Sequence, residues 1–311
     1  MAETSNHTRV TWFILRGFVD GPELRVAAVL FFSFVYLFGL LGNVSIMVAV
    51  TRDSRLHTPM YFFLKNLSFL DACCTSVTVP RAVVSGMAGS EEISFPECVA
   101  QLCLFLVLVS TECFLLTAMA YDRCLAIQRP LLYGATMSQR LCSKLVVTAW
   151  ASGAVYSAFH TANTFSLPFC GPNVVEHFFC DIPAVMRLAC ADFRLHELVH
   201  FTVSSCVMMS AFALTVLSYV GIVSTVARMT SVAGRWKAFS TCSSHLTTVV
   251  LFYGTGSSVY LRPASQYRPA QARLASVFYS ICTPTLNPLI YCLRNRDMKV
   301  ALQRLYRPGQ R

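Results

Sequence analysis

The chain has 311 residues and a formal net charge of +10, with 55% hydrophobic and only 13% charged residues. That charge share is about half of what an ordinary soluble domain carries, which argues against a water-soluble fold. The basic excess does not read as nucleic-acid binding either, because the Lys and Arg residues form no patch interleaved with exposed aromatics.

Taken in chain order, Met1–His7 is polar and lacks a basic segment leading into a short apolar core, so no cleavable signal peptide is expected. Asn6-His7-Thr8 is a glycosylation sequon, which places Asn6 on an exposed outer tail. Seven apolar stretches follow: Val26–Val50, Tyr61–Pro80, Val99–Ala120, Leu145–Leu167, Leu198–Ala227, Ala238–Leu261 and Leu274–Leu293. Each is long enough to cross a bilayer core of about 30 Å as a helix. Helices are the natural spanning form, since lipid satisfies no backbone N–H or C=O group. The expected fold class is therefore an all-α membrane protein, a seven-helix bundle at 26–293 with an outer tail at 1–25. An inner tail at 294–311 holds a short amphipathic helix, Asp297–Tyr306, with Met298, Leu302 and Leu305 on its lipid side. The spans use more than half the chain and leave no room for a separate soluble domain.

Charge sets the orientation. With the N-terminus outside, 15 Lys and Arg residues fall in inner loops and the inner tail, against 9 in outer segments. Basic loops resist translocation, so this is the favoured arrangement. The inner face then meets anionic lipid. Of the 14 cysteines, Cys98, Cys170, Cys180 and Cys190 fall outside, where disulfides persist. Spacing alone permits three pairings of the four.

Polar residues inside the spans mark function, because they are costly in lipid. Asn43, Asp71, Glu112 and Asn287 suggest one wet cluster, read either as a hydrogen-bond network packing helices or as a site for a cation or protons. Asp122 and Arg123 stand adjacent at the inner end of span three, an ion pair that a partner can break. In span seven Pro288 permits a kink whose freed backbone groups Asn287 can satisfy. His196-Glu197-Leu198-Val199-His200 matches the zinc-protease pattern. A zinc site needs a third ligand and an open position, and the match sits at the outer end of span five. Catalysis and a resident metal are not expected, and no cofactor is implied. A transporter should show repeated halves with broken helices, and no such repeat is present.

Together these motifs carry a resemblance. Gly42-Asn43, Leu56-His57-Thr58-Pro59-Met60-Tyr61-Phe62-Phe63-Leu64, Leu67-Ser68-Phe69-Leu70-Asp71 and Met119-Ala120-Tyr121-Asp122-Arg123 are followed by Ser218-Tyr219. Lys237-Ala238-Phe239-Ser240-Thr241-Cys242, Ser244-His245-Leu246 and Pro284-Thr285-Leu286-Asn287-Pro288 complete the set. From about Gly42 to Leu302 the chain resembles the rhodopsin-like G-protein-coupled receptors, and within them the odorant receptors. The resemblance implies disulfides Cys98–Cys180 and Cys170–Cys190. It implies that Arg123, released from Asp122, meets a G protein, that Tyr219 and Tyr291 swing inward on activation, and that His245 couples span six to Arg123. It also implies a stimulatory G protein of the olfactory type, a rise in cyclic AMP, and residence in the plasma membrane of sensory cilia. A receptor of the same fold for a non-odorant small molecule outside the olfactory epithelium is the alternative. Cys124 and Gln128 depart from the family's usual Tyr and Cys, which bears on coupling efficiency.

The ligand is expected between spans three, five, six and seven, with span four at the side. Phe105, Leu106, Val109 and Ser110 share a face of span three, joined by His160, Val203, Val207, Tyr253, Gly256, Ser257, Tyr260, Val277 and Ser280. Ligand sites of this kind are concave and mostly apolar, with a few polar anchors. No carboxylate, Lys or Arg stands on these faces, so the lining suits a small, mostly apolar volatile bonded to Ser110, Ser257 or Tyr260. Arg262, Arg268 and Arg273 in the third outer loop read as solvated charge, or as a filter favouring acidic ligands.

Overall fold

The computed structural model describes residues 10–17, 22–88, 91–171, 173–260 and 268–306. Asn6, Arg262 and the side chain of Tyr260 lie outside the described residues. Six long helices and one interrupted helix make the bundle: α1 Pro22–Arg52, α2 Pro59–Ala88, α3 Phe95–Gln128, α5 Gln139–Phe165, α7 Arg194–Ala227, α8 Val232–Tyr260, and α9 Pro269–Val277 running into α10 Thr283–Arg294. Short α4 Pro130–Thr136 lies between α3 and α5, α6 Ile182–Met186 between α5 and α7, and α11 Arg296–Tyr306 follows α10. The helix expected at Asp297–Tyr306 thus begins one residue earlier.

The helix ends are written locally. Ser94 caps α3 by accepting from Glu97 N, while the Glu97 carboxylate accepts from Ser94 N, which satisfies two otherwise orphaned N–H groups. Ser138 caps α5 by accepting from Leu141 N, without the reciprocal bond. Between α9 and α10 the chain loosens into a π turn, Phe278–Cys282, before Pro284 and Pro288, two residues that cannot donate to a helix ladder.

Among the described residues four helices, spanning Leu24–Arg52, Pro59–Met87, Phe95–Gln128 and Arg194–Ala227, are long and apolar enough by composition to cross a membrane. The others carry more polar residues and join the bundle through packing. α3 is central, touching α2, α5, α7 and α8. Its Phe105, Leu115 and Leu116 enter a core shared with Ile46, Phe63, Leu67 and Ile281. Phe31, Phe34, Leu41, Leu217 and Val220 point outward from α1 and α7, as surfaces in lipid do.

The fold is not purely helical. Three short strands cover the outer end: β1 Trp12–Leu15, β2 Glu92–Ser94 and β3 Val174–Val175, in the order β2-β1-β3. β1 pairs antiparallel with β2, Phe13 facing Ile93, and parallel with β3, Ile14 facing Val174. The expected helix bundle stands, and this small sheet adds a structural role for the outer tail. Phe13, Leu15, Ile93, Val175 and Ile182 form a second apolar core with Leu102 of α3. Disulfides join Cys98 to Cys180 and Cys170 to Cys190, tying the loop to α3 and to itself.

Candidate functional site

Beneath the outer cap is a cavity of about 70 Å³ bounded by α3, α5, α7, α8 and the π turn. Of the residues anticipated from sequence, Leu106, Val109, Ser110, Val207 and Gly256 line it. Cys113, Tyr156, Ser204, Met208, Phe252 and Tyr279 line it as well and were not anticipated. Phe105 sits at its edge, its ring 4.9 Å from Phe179 of the loop and 5.8 Å from Tyr279. Tyr253 lies below, its hydroxyl 3.4 Å from Cys113 Sγ and its ring 5.0 Å from Phe212.

The remaining anticipated residues stand off the wall. Ser257 and Ser280 donate to carbonyls of their own helical turns, Gly254 O at 3.2 Å and Ser276 O at 2.7 Å. Val277 packs against the main core, Val203 is half-buried, and His160 points instead at His200, with 3.1 Å between their Nδ1 atoms. His200 is one of the two histidines of the zinc-protease match, so that motif is divided between a histidine pair inside the bundle and His196 at the helix end, whose backbone carbonyl accepts from Asn163.

The loop is latched over the cavity. His177 is buried, its Nδ1 accepts from Phe179 N at 3.4 Å, and Nε2–H therefore donates to Ser276 Oγ of α9 at 2.9 Å. Burial, with Arg273 nearby, pulls this ring down to about 3 from 6.5, despite the opposing bond from Phe179. Gln101 ties the same loop to α2 through α3, accepting from Cys180 N and donating to Val77 O, each at 3.0 Å.

At the inner end a cavity of about 620 Å³ opens beside Arg123, walled by Met60, Tyr61, Ser244, His245, Tyr291 and Asn295. Arg123 Nε donates to Asp122 Oδ2 at 2.9 Å, and Tyr133 donates to the other carboxylate oxygen at 2.7 Å. Met60 Sδ lies 3.1 Å from Arg123 Nη1. His245 Nε2–H donates to Leu116 O at 3.1 Å, which leaves Nδ1 to accept from Tyr219 at 2.8 Å. One ring thus links α3, α7 and α8. Cys124 and Gln128 both face Gly221 of α7, where an added Cβ would strike them.

Between the two ends, Asn287 donates to Asp71 Oδ2 at 2.9 Å and accepts from Thr248 at 3.2 Å. Asn43 bonds backbone instead, reaching Pro284 O at 3.1 Å. Asp71 Oδ1 and Glu112 Oε1 are buried and meet no protein donor among the described residues. Oxygens so placed suit a cation or a shared proton.

A family model described as olfactory receptor matches residues 32–307. The chain belongs to the olfactory receptor family. Human olfactory receptor 10A7 is 47% identical over 299 residues, covering 96% of this chain and 95% of that one. Mouse olfactory receptor 5AR1 is 44% identical over 303 residues, covering 97% and 98%. The fold is also that of squid rhodopsin, whose crystal structure superposes with a TM-score of 0.69 over 92% of this chain and 86% of that one, at 18% identity. This olfactory receptor is a multi-pass membrane receptor of rhodopsin-like fold and not an enzyme.

Proposed function

We propose that this receptor binds a small, mostly apolar volatile in the outer cavity and, in response, activates a stimulatory G protein of the olfactory type, raising cyclic AMP. The observation that carries the reading is the pairing of two sites on one helix: an apolar cavity on the outer half of α3, and the Asp122–Arg123 pair beside an open cleft on its inner end. A ligand shifts the equilibrium only by binding the active bundle better than the resting one. Loss of the His245 bonds to Leu116 and Tyr219 frees α8 from α3 and α7, and a helix of the G protein enters beside Arg123. Asp71 and Glu112 stand in a polar cluster between the ends that packs helices and holds a cation or a proton. Asn6 carries a glycan on the outer tail, and the plasma membrane of sensory cilia is the working location.

The test is a cyclic-AMP reporter in cells exposed to a chemically diverse panel of volatiles. The receptor should respond to at least one, and Arg123→Ala should abolish the response while surface labelling stays at the parental level. A normal response from that variant would overturn the scheme.

A further inference from the structure

The wall of the outer cavity is apolar except at one side, where α5 and α7 meet. There the hydroxyls of Tyr156 and Ser204 lie 2.7 Å apart, and both residues line the cavity. Behind them the polar chain continues away from the ligand space. Ser204 Oγ is 3.3 Å from His200 Nδ1, which is 3.1 Å from His160 Nδ1. Ser204, His200 and His160 are all buried, His160 completely. Of the other hydroxyl-bearing residues on the wall, Ser110 is already committed to the carbonyls of Leu106 and Gly153, and Tyr279 belongs to the π turn, its ring 5.8 Å from that of Phe105.

A hydrogen count shows what the chain offers. A contact between two Nδ1 atoms needs one N–H and one lone pair. The ring hydrogen has two places: on His160, the hydroxyl hydrogens of Tyr156 and Ser204 both run inward to His200 and none is spare, whereas on His200 it serves His160 and Ser204 shares it from the flank. In the second placement Tyr156 and Ser204 bring two hydroxyl hydrogens and use one between themselves. The second is left at the cavity edge, and a buried donor without an acceptor is costly.

We infer that the Tyr156–Ser204 hydroxyl pair is the polar anchor of the ligand, held in place by the His200–His160 pair. The ligand class it selects is a small apolar skeleton bearing one acceptor oxygen, as in a ketone, aldehyde or ester. This rests on the reading of the cavity as the ligand site. Among the described residues no carboxylate lines the cavity to hold an amine, and no Lys or Arg lines it to hold an acid. The volume of about 70 Å³ is below the roughly 150 Å³ of a cavity that takes up benzene, so a six-carbon skeleton fills it and presses its walls apart.

Purified full-length receptor in lipid nanodiscs, titrated with hexan-2-one or hexane and followed by thermal unfolding, tests the assignment. Hexan-2-one should bind at least about fivefold tighter than hexane, the worth of one neutral hydrogen bond. Tyr156→Phe and Ser204→Ala should each remove most of that preference while hexane binds as before, which shows the cavity intact. Ser204→Thr, which keeps the hydroxyl, should retain it. Equal binding of the two probes, a preference untouched in both variants, or no stabilisation by either probe would overturn the anchor. Cyclic AMP separates the two readings. Selective ketone binding without a cyclic-AMP rise sinks the signalling scheme and leaves the anchor. A response through Arg123 to some other class of volatile, with no ketone binding, does the reverse.

Discussion

Arg123 is held on three sides, by Asp122, by Tyr133 acting through that carboxylate, and by Met60. The charged hydrogen bond is the strong member, but it is adjacent in sequence and so survives many backbone arrangements. Tyr133 is the member that depends on the tertiary fold. Tyr133→Phe should therefore loosen Asp122 and raise ligand-free cyclic AMP by about fivefold, read against surface expression; an unchanged basal level would remove Tyr133 from the switch. At the outer end His177 makes a pH test. Its ring is neutral in the fold, since Nδ1 accepts and Nε2–H donates, and burial holds its pKa at about 3. Unfolded, the ring takes a proton near 6.5. Between those values the unfolded chain binds more protons, so stability is intact above about 6.5 and declines as pH falls toward 3. Thermal unfolding of the receptor from about pH 7 to about pH 4 should show this decline, and His177→Gln should flatten part of it.

The contact of α3 with α5 shows how elements are set by small residues. Gly153 faces α3 so closely that an added Cβ would lie 3.0 Å from Val107 O and 3.1 Å from Thr111 N, both rigid backbone. The close approach lets Ser110 reach Gly153 O at 3.3 Å and Ser157 reach Cys103 O at 2.6 Å, so each helix bonds the other's backbone. Such interhelical hydrogen bonds contribute about 0.6–2 kcal/mol each. Gly153→Ala should force α3 and α5 apart and cost about 1–3 kcal/mol, seen as a lower melting temperature and reduced surface delivery. A neutral outcome would mean that α5 can shift freely. The element the sequence left hidden is β1. Trp12–Leu15 is too short for a periodic signal, and its partners lie far along the chain at Glu92–Ser94 and Val174–Val175. Only the folded outer loops bring a sheet edge to it.

For the molecule as a whole, two cores are stacked along the membrane normal: the bundle core, and the outer core around Phe13, Ile93 and Ile182. The Cys98–Cys180 disulfide closes a chain separation of 82 residues within the outer core, pinning the loop to α3, the helix that runs through both cores. Removing such a crosslink costs about 2–5 kcal/mol. Cys98→Ser should therefore deprive the receptor of surface expression and of any cyclic-AMP response, whereas Cys206→Ser, at a free cysteine exposed on α7, should leave both unchanged. Equal behaviour of the two variants would refute a special role for the outer crosslink.

The number of spans, their orientation, the Asp122–Arg123 pair and the proline inside span seven were legible from residue order. Each depends on a continuous apolar run or on neighbours within one turn, and bilayer thickness and charge translocation act on exactly such local features. The cavity was legible on α3, where Leu106, Val109 and Ser110 follow one helical face. On α7 only Val207 was legible, and on α5 none of the wall was. A span is apolar all round, so its own sequence does not say which side meets the bundle. Tyr156 and Ser204 are 48 positions apart, and His160 and His200 are 40 apart. Only the rotation and close approach of packed helices turned those four side chains toward one another and beside the ligand space.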